Sequence, residues 1–297
     1  MSLAPTGQPQ SKITTTSLQQ KKINHEPITC LTAYDYASAR LVDEAGIDLI
    51  LVGDSLAQVM LGYENTLPVT MEEMLHHTRA VKRAVRRALV VADMPFSSYH
   101  ISRRESLQNA ARFVKEAGAE AVKIEGGEKR AELIRRIVEA EIPVMGHIGL
   151  TPQSIHAMGG YKVQGKTLAA VEQLMRDAKA LEDAGAFSIV LEGIPREVAT
   201  MITEAVTVPT IGIGAGPDCD GQILVFHDLL GLTFGQPAKF VRRYAEVGGI
   251  ISSALDAYRQ DVECGGYPSD SESYHLPKDT ANALESVLVR KRAMKRD

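Results

Sequence analysis

Four short apolar runs in this chain stop abruptly at an acidic residue: LILVGDS at Asp54, LVVADMPF at Asp93, AVKIEGG at Glu125 and FSIVLEGIP at Glu192. An apolar run of that length, rich in β-branched residues and followed by a helical pattern, reads as a parallel strand buried on both faces. Polar chemistry becomes possible only where such a strand ends. Four carboxylates at four strand ends would converge on one mouth, an arrangement suited to a metal and to acid–base work at the carboxyl face of a barrel.

Candidate strands follow one another at Ile28–Ala33, Asp48–Val52, Leu89–Ala92, Ala121–Ile124, Pro143–Gly146, Ser188–Leu191 and Thr210–Gly212, with a weaker eighth around Gln222–Phe226. Helical patterns such as MEEMLHHTRAVKRAVRR and TLAAVEQLMRDAKALEDAG lie between them. DEAGIDLI, KEAGAEAV and EDAGAFSI each place a glycine, Gly46, Gly118 or Gly185, after a helix and before a strand. Glycine there takes the left-handed conformation that ends a helix. Serial βα units predict an α/β fold, a (β/α)8 TIM barrel, and 297 residues leave room for the roughly 250 that such a barrel needs. No GxGxxG follows the first strand, which argues against a dinucleotide fold.

Residues 1–24 are rich in Ser, Thr, Gln and Pro without periodicity and are expected to form a flexible arm. The barrel domain with its C-terminal helices is expected over 25–264, where AKFVRRYAEVGGIISSALDAYRQDVECG reads as one long helix or two, bent near Gly248–Gly249. Residues 265–297 are read as a turn-rich, then basic, extension.

With 44% hydrophobic and 24% charged residues, no apolar run near the ~20 residues of a membrane span and no signal-peptide pattern, the expectation is a soluble, cytoplasmic protein without a membrane partner. A net charge of −4 offers no footprint for nucleic acid, and the runs KRAVRR and RKRAMKR are too local to change that. Cys30, Cys219 and Cys264 lack CxxC spacing and are read as packed or free thiols.

Among the acids, Asp54 and Asp93 are the leading metal candidates, because Mg²⁺ takes carboxylate oxygens and is commonly held by one or two of them plus substrate. Glu125 can join directly or through water. The competing reading is that these acids cap the following helices. Lys123 lies two residues before Glu125 and so points to the same side of its strand, where a lysine requires an anionic partner. His147, after PVMG, can donate to a substrate oxygen, shuttle a proton, or be a satisfied structural histidine. The loop VPTIGIGAG places Gly212, Gly214 and Gly216 after the seventh strand, where barrels often bind phosphate or let a flat ligand approach the backbone.

Taken together, ITCLTAYDYASARLVDEAGIDLILVGDSLAQVMLGYENTLPVTMEEMLHHTRAV, ADMPF, AVKIEGG, PVMGHIGLTPQ, LEGIP, IGIGAG and CDGQILVFHDLLG resemble, in order, the ketopantoate hydroxymethyltransferase family from about Ile28 to Phe240. The resemblance implies a barrel of the phosphoenolpyruvate/pyruvate superfamily and a Mg²⁺-dependent, cytoplasmic homodecamer of pantothenate biosynthesis. Such an enzyme moves a hydroxymethyl unit from 5,10-methylenetetrahydrofolate to 3-methyl-2-oxobutanoate. By the same resemblance Asp54, Asp93 and Glu125 are metal-site acids, Asp54, Ser55, Asp93 and Lys123 contact the keto acid, His147 lies near the substrate, and Glu192 is the proton acceptor. The arm and the tail after about Pro277 depart from the family's core pattern. The alternative is a metal-dependent lyase or mutase of the same superfamily; such lyases commonly carry a catalytic cysteine in a mobile loop, and none directly follows the fourth strand here.

Overall fold

The computed structural model describes residues 11–293. Eight parallel strands close into a barrel in sequence order: β1 (Ile28–Thr32), β2 (Leu49–Val52), β3 (Leu89–Asp93), β4 (Ala121–Glu125), β5 (Val144–Gly149), β6 (Ser188–Glu192), β7 (Thr210–Ile213) and β8 (Gly221–Leu224), with β8 pairing back to β1. The helices, in chain order, are α1 (Thr15–Ile23), α2 (Tyr36–Glu44), α3 (Leu56–Val59), α4 (Met71–Ala84), α5 (Arg103–Ala117), α6 (Ala131–Glu139), α7 (Ile155–Met158), α8 (Leu168–Asp183), α9 (Arg196–Ala205), α10 (Phe226–Leu229), α11 (Val247–Cys264) and α12 (Lys278–Ala293). The barrel predicted from the serial βα pattern is the fold of this chain.

Local chemistry sets the helix ends. Thr70 caps α4 in a capping box with Glu73, and Ser102, Thr167 and Asp35 cap α5, α8 and α2 through their side-chain oxygens. Gly46, Gly118 and Gly185 have φ of 81°, 75° and 90°, the left-handed turn expected of them.

The period of two along each strand divides the core into two layers. Leu49 and Leu51, Leu89 and Val91, Ala121, Met145, Val190, Ile211 and Ile223 point into the barrel, whereas Ile50, Val52, Val90, Val122, Ile124 and Ile189 point out against the helices. By the same alternation Asp93, Lys123, Glu125, His147 and Glu192 continue the inward set toward the carboxyl ends. Polar side chains thus gather where the apolar filling stops.

The N-terminal segment corrects one expectation. Residues 1–10 lie outside the described residues, but Thr15–Ile23 form a helix, and Ile13 and Leu18 pack beneath the barrel interior with Leu18 wholly buried. Ion pairs from Lys12 to Glu120 (2.8 Å), Lys21 to Asp48 (2.6 Å) and Lys22 to Asp220 (2.8 Å) tie this plug to the floor. Only two apolar residues anchor it, too few to give a readable period, and their partners lie far along the chain.

The domain boundary also moves. Among the described residues those up to Ala245 form one compact unit and those from Glu246 another, so α11 groups with the C-terminal segment and not with the barrel domain drawn to 264. The chain is not helical over 237–246, and the glycine pair at 248–249 falls in the first turn of α11 rather than at a bend. Within this second unit Ile251, Leu255, Tyr258 and Val262 are exposed at helical spacing. Among the described residues no helix is long and apolar enough to cross a membrane.

Leu18→Ala should destabilise the barrel unit by about 2–5 kcal/mol, the usual range for emptying a filled apolar site. Chemical denaturation checks it, and an unchanged midpoint would mean that α1 is not seated on the floor.

Candidate active site

At the carboxyl end of the barrel a cavity of about 840 Å³ is lined by Asp54, Ser55, Asp93, Lys123, Glu125, His147 and Glu192, all seven site residues singled out from the sequence. None of the four acids caps a helix. Ser55, Ser102, Arg130 and Pro195 occupy the cap positions of the helices that follow, which removes the capping alternative.

The centre is an ion pair. Lys123 Nζ lies 2.7 and 2.6 Å from the two carboxylate oxygens of Asp93, and both side chains are almost wholly buried. Burial works against the lysine charge, but Asp93, Glu125 and Asp54 together hold it protonated, above its ordinary range. Asp54 sits beside this pair, its backbone N–H donating to Asp93 Oδ2 at 3.3 Å. Burial, then the charges of Asp93 and Glu125, push its carboxyl well above the usual range.

His147 bridges the other two acids. Its Nδ1 is 3.4 Å from Glu125 Oε1 and its Nε2 is 3.2 Å from Glu192 Oε2. These are ion-pair distances without aligned hydrogen bonds, since both ring nitrogens and Glu125 Oε1 are buried without a hydrogen-bond partner among the described residues. Burial and Lys123 disfavour the imidazolium, and the two glutamates outweigh them, raising the pKa to about 9. Glu192 differs from the other acids: its side chain retains 17% exposure, against 2% for Asp93 and Glu125.

Ser55 Oγ pairs with the Tyr34 hydroxyl at 2.7 Å. Gly214 and Gly216 line the cavity, but a Cβ on Gly214 would meet Phe240 at 2.6 Å and one on Gly216 would meet Arg196 at 2.7 Å. The room that the missing side chains leave is taken up by the protein itself. Sequence reasoning also missed Tyr34 and Gln153, polar residues without a spacing signal, and the cavity-wall residues Tyr161, Lys162 and Arg196.

A profile of the ketopantoate hydroxymethyltransferase family matches residues 12–270. The chain belongs to this family. A 3-methyl-2-oxobutanoate hydroxymethyltransferase from Koribacter versatilis is 70% identical over 296 residues, covering 100% of both chains. One from Syntrophomonas wolfei subsp. wolfei is 53% identical, covering 92% of this chain and 99% of its own. In fold, the ketopantoate hydroxymethyltransferase barrel seen here is similar to phosphonopyruvate hydrolase (TM-score 0.59, 14% identity, covering 94% of this chain and 97% of that one). It is likewise similar to 2,3-dimethylmalate lyase, a PEP mutase/isocitrate lyase superfamily member (TM-score 0.56, 19% identity, 94% and 98%).

The metal expected at Asp54, Asp93 and Glu125 can be tested against the donors present. Among the described residues no group of three or more His, Cys, Asp or Glu stands ready as a metal cluster, and Lys123 engages both Asp93 oxygens. The donor chemistry nonetheless fits a hard divalent cation that needs only one or two carboxylates from the protein. Three buried carboxylates share one lysine, and one oxygen of Glu125 is buried without a hydrogen bond.

Because the His147 pKa lies above its ordinary 6.5, its contribution to stability is full below about pH 6.5 and is lost as pH rises through about 9. In metal-free protein, the stability advantage of the parent over His147→Gln should decline across that window. A pH-independent difference in denaturation midpoints would show that the imidazole is not held charged.

Proposed function

We propose that this chain transfers a hydroxymethyl unit from 5,10-methylenetetrahydrofolate to C3 of 3-methyl-2-oxobutanoate, giving 2-dehydropantoate and tetrahydrofolate, with Mg²⁺ as cofactor. Family membership and the names of the relatives support the substrate class. The observation that carries the mechanism is the division of labour among the acids: Asp54, Asp93 and Glu125 are buried around Lys123, while Glu192 is partly exposed on the cavity wall.

The reaction must first remove a weakly acidic proton beside a ketone. Asp54 and Asp93 would hold the cation, with Glu125 joining directly or through water. When bound, Mg²⁺ supplies Lewis-acid stabilisation of the charge that develops on the keto oxygen. Lys123 adds positive charge beside the same anion, and Ser55, Asp54 and Asp93 contact the keto acid. Glu192 takes the C3 proton as general base, a role that suits a carboxylate off the metal and open to the cavity. The imidazolium of His147, 3.2 Å from Glu192, supplies positive charge on the wall where the proton is taken and would donate to a substrate oxygen. The new carbon–carbon bond joins C3 to the methylene carbon, both bonds from that carbon to the folate nitrogens N5 and N10 break, water supplies the hydroxyl oxygen, and the C3 proton and one proton of that water end on the two nitrogens.

The reading includes a cytoplasmic homodecamer. The exposed apolar positions of α11 support self-association of this kind. The lyase or mutase alternative draws on the similarity to superfamily structures, but at 14–19% identity that similarity is one of fold.

Glu192→Gln keeps the size of the side chain and removes its basic oxygen. With Mg²⁺ and 3-methyl-2-oxobutanoate in deuterated water, the parent should exchange the C3 proton, read by NMR, and the variant should do so about 10²–10⁴-fold more slowly. Exchange at the parent rate would remove Glu192 as the base and make His147 the next candidate.

A further inference from the structure

Gln153 follows Pro152 in the short 3₁₀ turn after β5 and is 4% exposed. It does not line the cavity, yet its polar groups reach the acids that do. Its backbone N–H donates to Glu125 Oε2 at 3.0 Å. Its side-chain Nε2 donates to Asp54 Oδ2 at 2.9 Å and to the Met94 carbonyl at 3.0 Å, and its Oε1 accepts from the Tyr99 hydroxyl at 2.6 Å.

These partners fix the orientation of the amide. The Met94 carbonyl can only accept, so the NH₂ end must face it and Asp54 Oδ2 beside it, and the Tyr99 O–H then meets the oxygen. Glutamate would set oxygens against oxygens, lysine has no acceptor for Tyr99, and asparagine is one methylene too short.

We propose that Gln153 is a positioning residue, which ties the Asp54 and Glu125 carboxylates to one rigid point and so prearranges them to receive a divalent cation. The inference rests on the cation reading above. The clamp acts from behind the site, as hydrogen-bond partners of metal ligands do, and Tyr99 fixes the clamp in turn.

The test titrates Mn²⁺ alone into the full-length protein, with free Mn²⁺ read by electron paramagnetic resonance. Gln153→Met preserves length without the amide, Tyr99→Phe keeps the amide but removes the hydroxyl that orients it, and Asp54→Asn is the control for site occupancy. Gln153→Met should bind about 10–100-fold more weakly than the parent, and Tyr99→Phe should show a smaller loss. A defect that is merely structural reduces the number of sites and leaves the dissociation constant of the remaining sites unchanged, and that result overturns the proposal. If Gln153→Met yields no folded protein, Tyr99→Phe decides, and a parent-like constant overturns the clamp while leaving the cation reading intact. A parent that binds no Mn²⁺ overturns both, and is told apart by the identical behaviour of Asp54→Asn.

Discussion

The buried pair between Lys123 and Asp93 is the constraint on which the rest of the site depends. Removing both charges from water costs several kcal/mol per ion in a protein interior, and close contact with further hydrogen bonds is needed to offset that cost. The pair has close contact, with Nζ at 2.6–2.7 Å from both oxygens. It is not electrically closed, because Asp54 and Glu125 lie buried beside it. The excess of carboxylate over ammonium explains why Lys123 is held protonated, why the Asp54 carboxyl is pushed up, and why a divalent cation suits the place. His147 extends the same logic to the far side, where its charge is shared between Glu125 and Glu192.

The barrel makes this concentration of charge possible by separating tasks along its axis. Leucine, valine and isoleucine fill the interior, and Ile13 and Leu18 close it from below, so the floor is stabilised by apolar burial and by ion pairs at the rim. The upper end is then free to hold groups that oppose stability, the usual division between the two faces of such barrels. Gln153 belongs to this scheme as a polar residue whose hydrogen bonds connect segments from Asp54 to Glu125.

Much of this is legible in the chain. The strand ends are visible because each apolar run stops at an acid, and a period of two puts Lys123 and Glu125 on one face of β4. The C′ glycines are legible because only glycine takes φ near +80° without strain. β5 runs to Gly149, three residues past its apolar signal, because His147 and Gly149 continue the ladder to Val190 and Glu192; backbone pairing, unlike hydropathy, leaves no mark in composition. The α1 plug, the clamp at Gln153 and the filled loop at Gly214 escape a reading of the sequence for a common reason. Each depends on partners distant in sequence: the barrel floor for Leu18, Asp54 and Tyr99 for Gln153, and Phe240 for Gly214.

The central claim is that the strand-end acids hold a divalent cation for one-carbon transfer to a keto acid. Its most direct test is formation of 2-dehydropantoate by the purified chain from 3-methyl-2-oxobutanoate and 5,10-methylenetetrahydrofolate, followed before and after a chelator and again after Mg²⁺ is restored. The account predicts product that ceases with chelator and returns with Mg²⁺. Undiminished turnover in excess chelator, or no product under any of the three conditions, would contradict it.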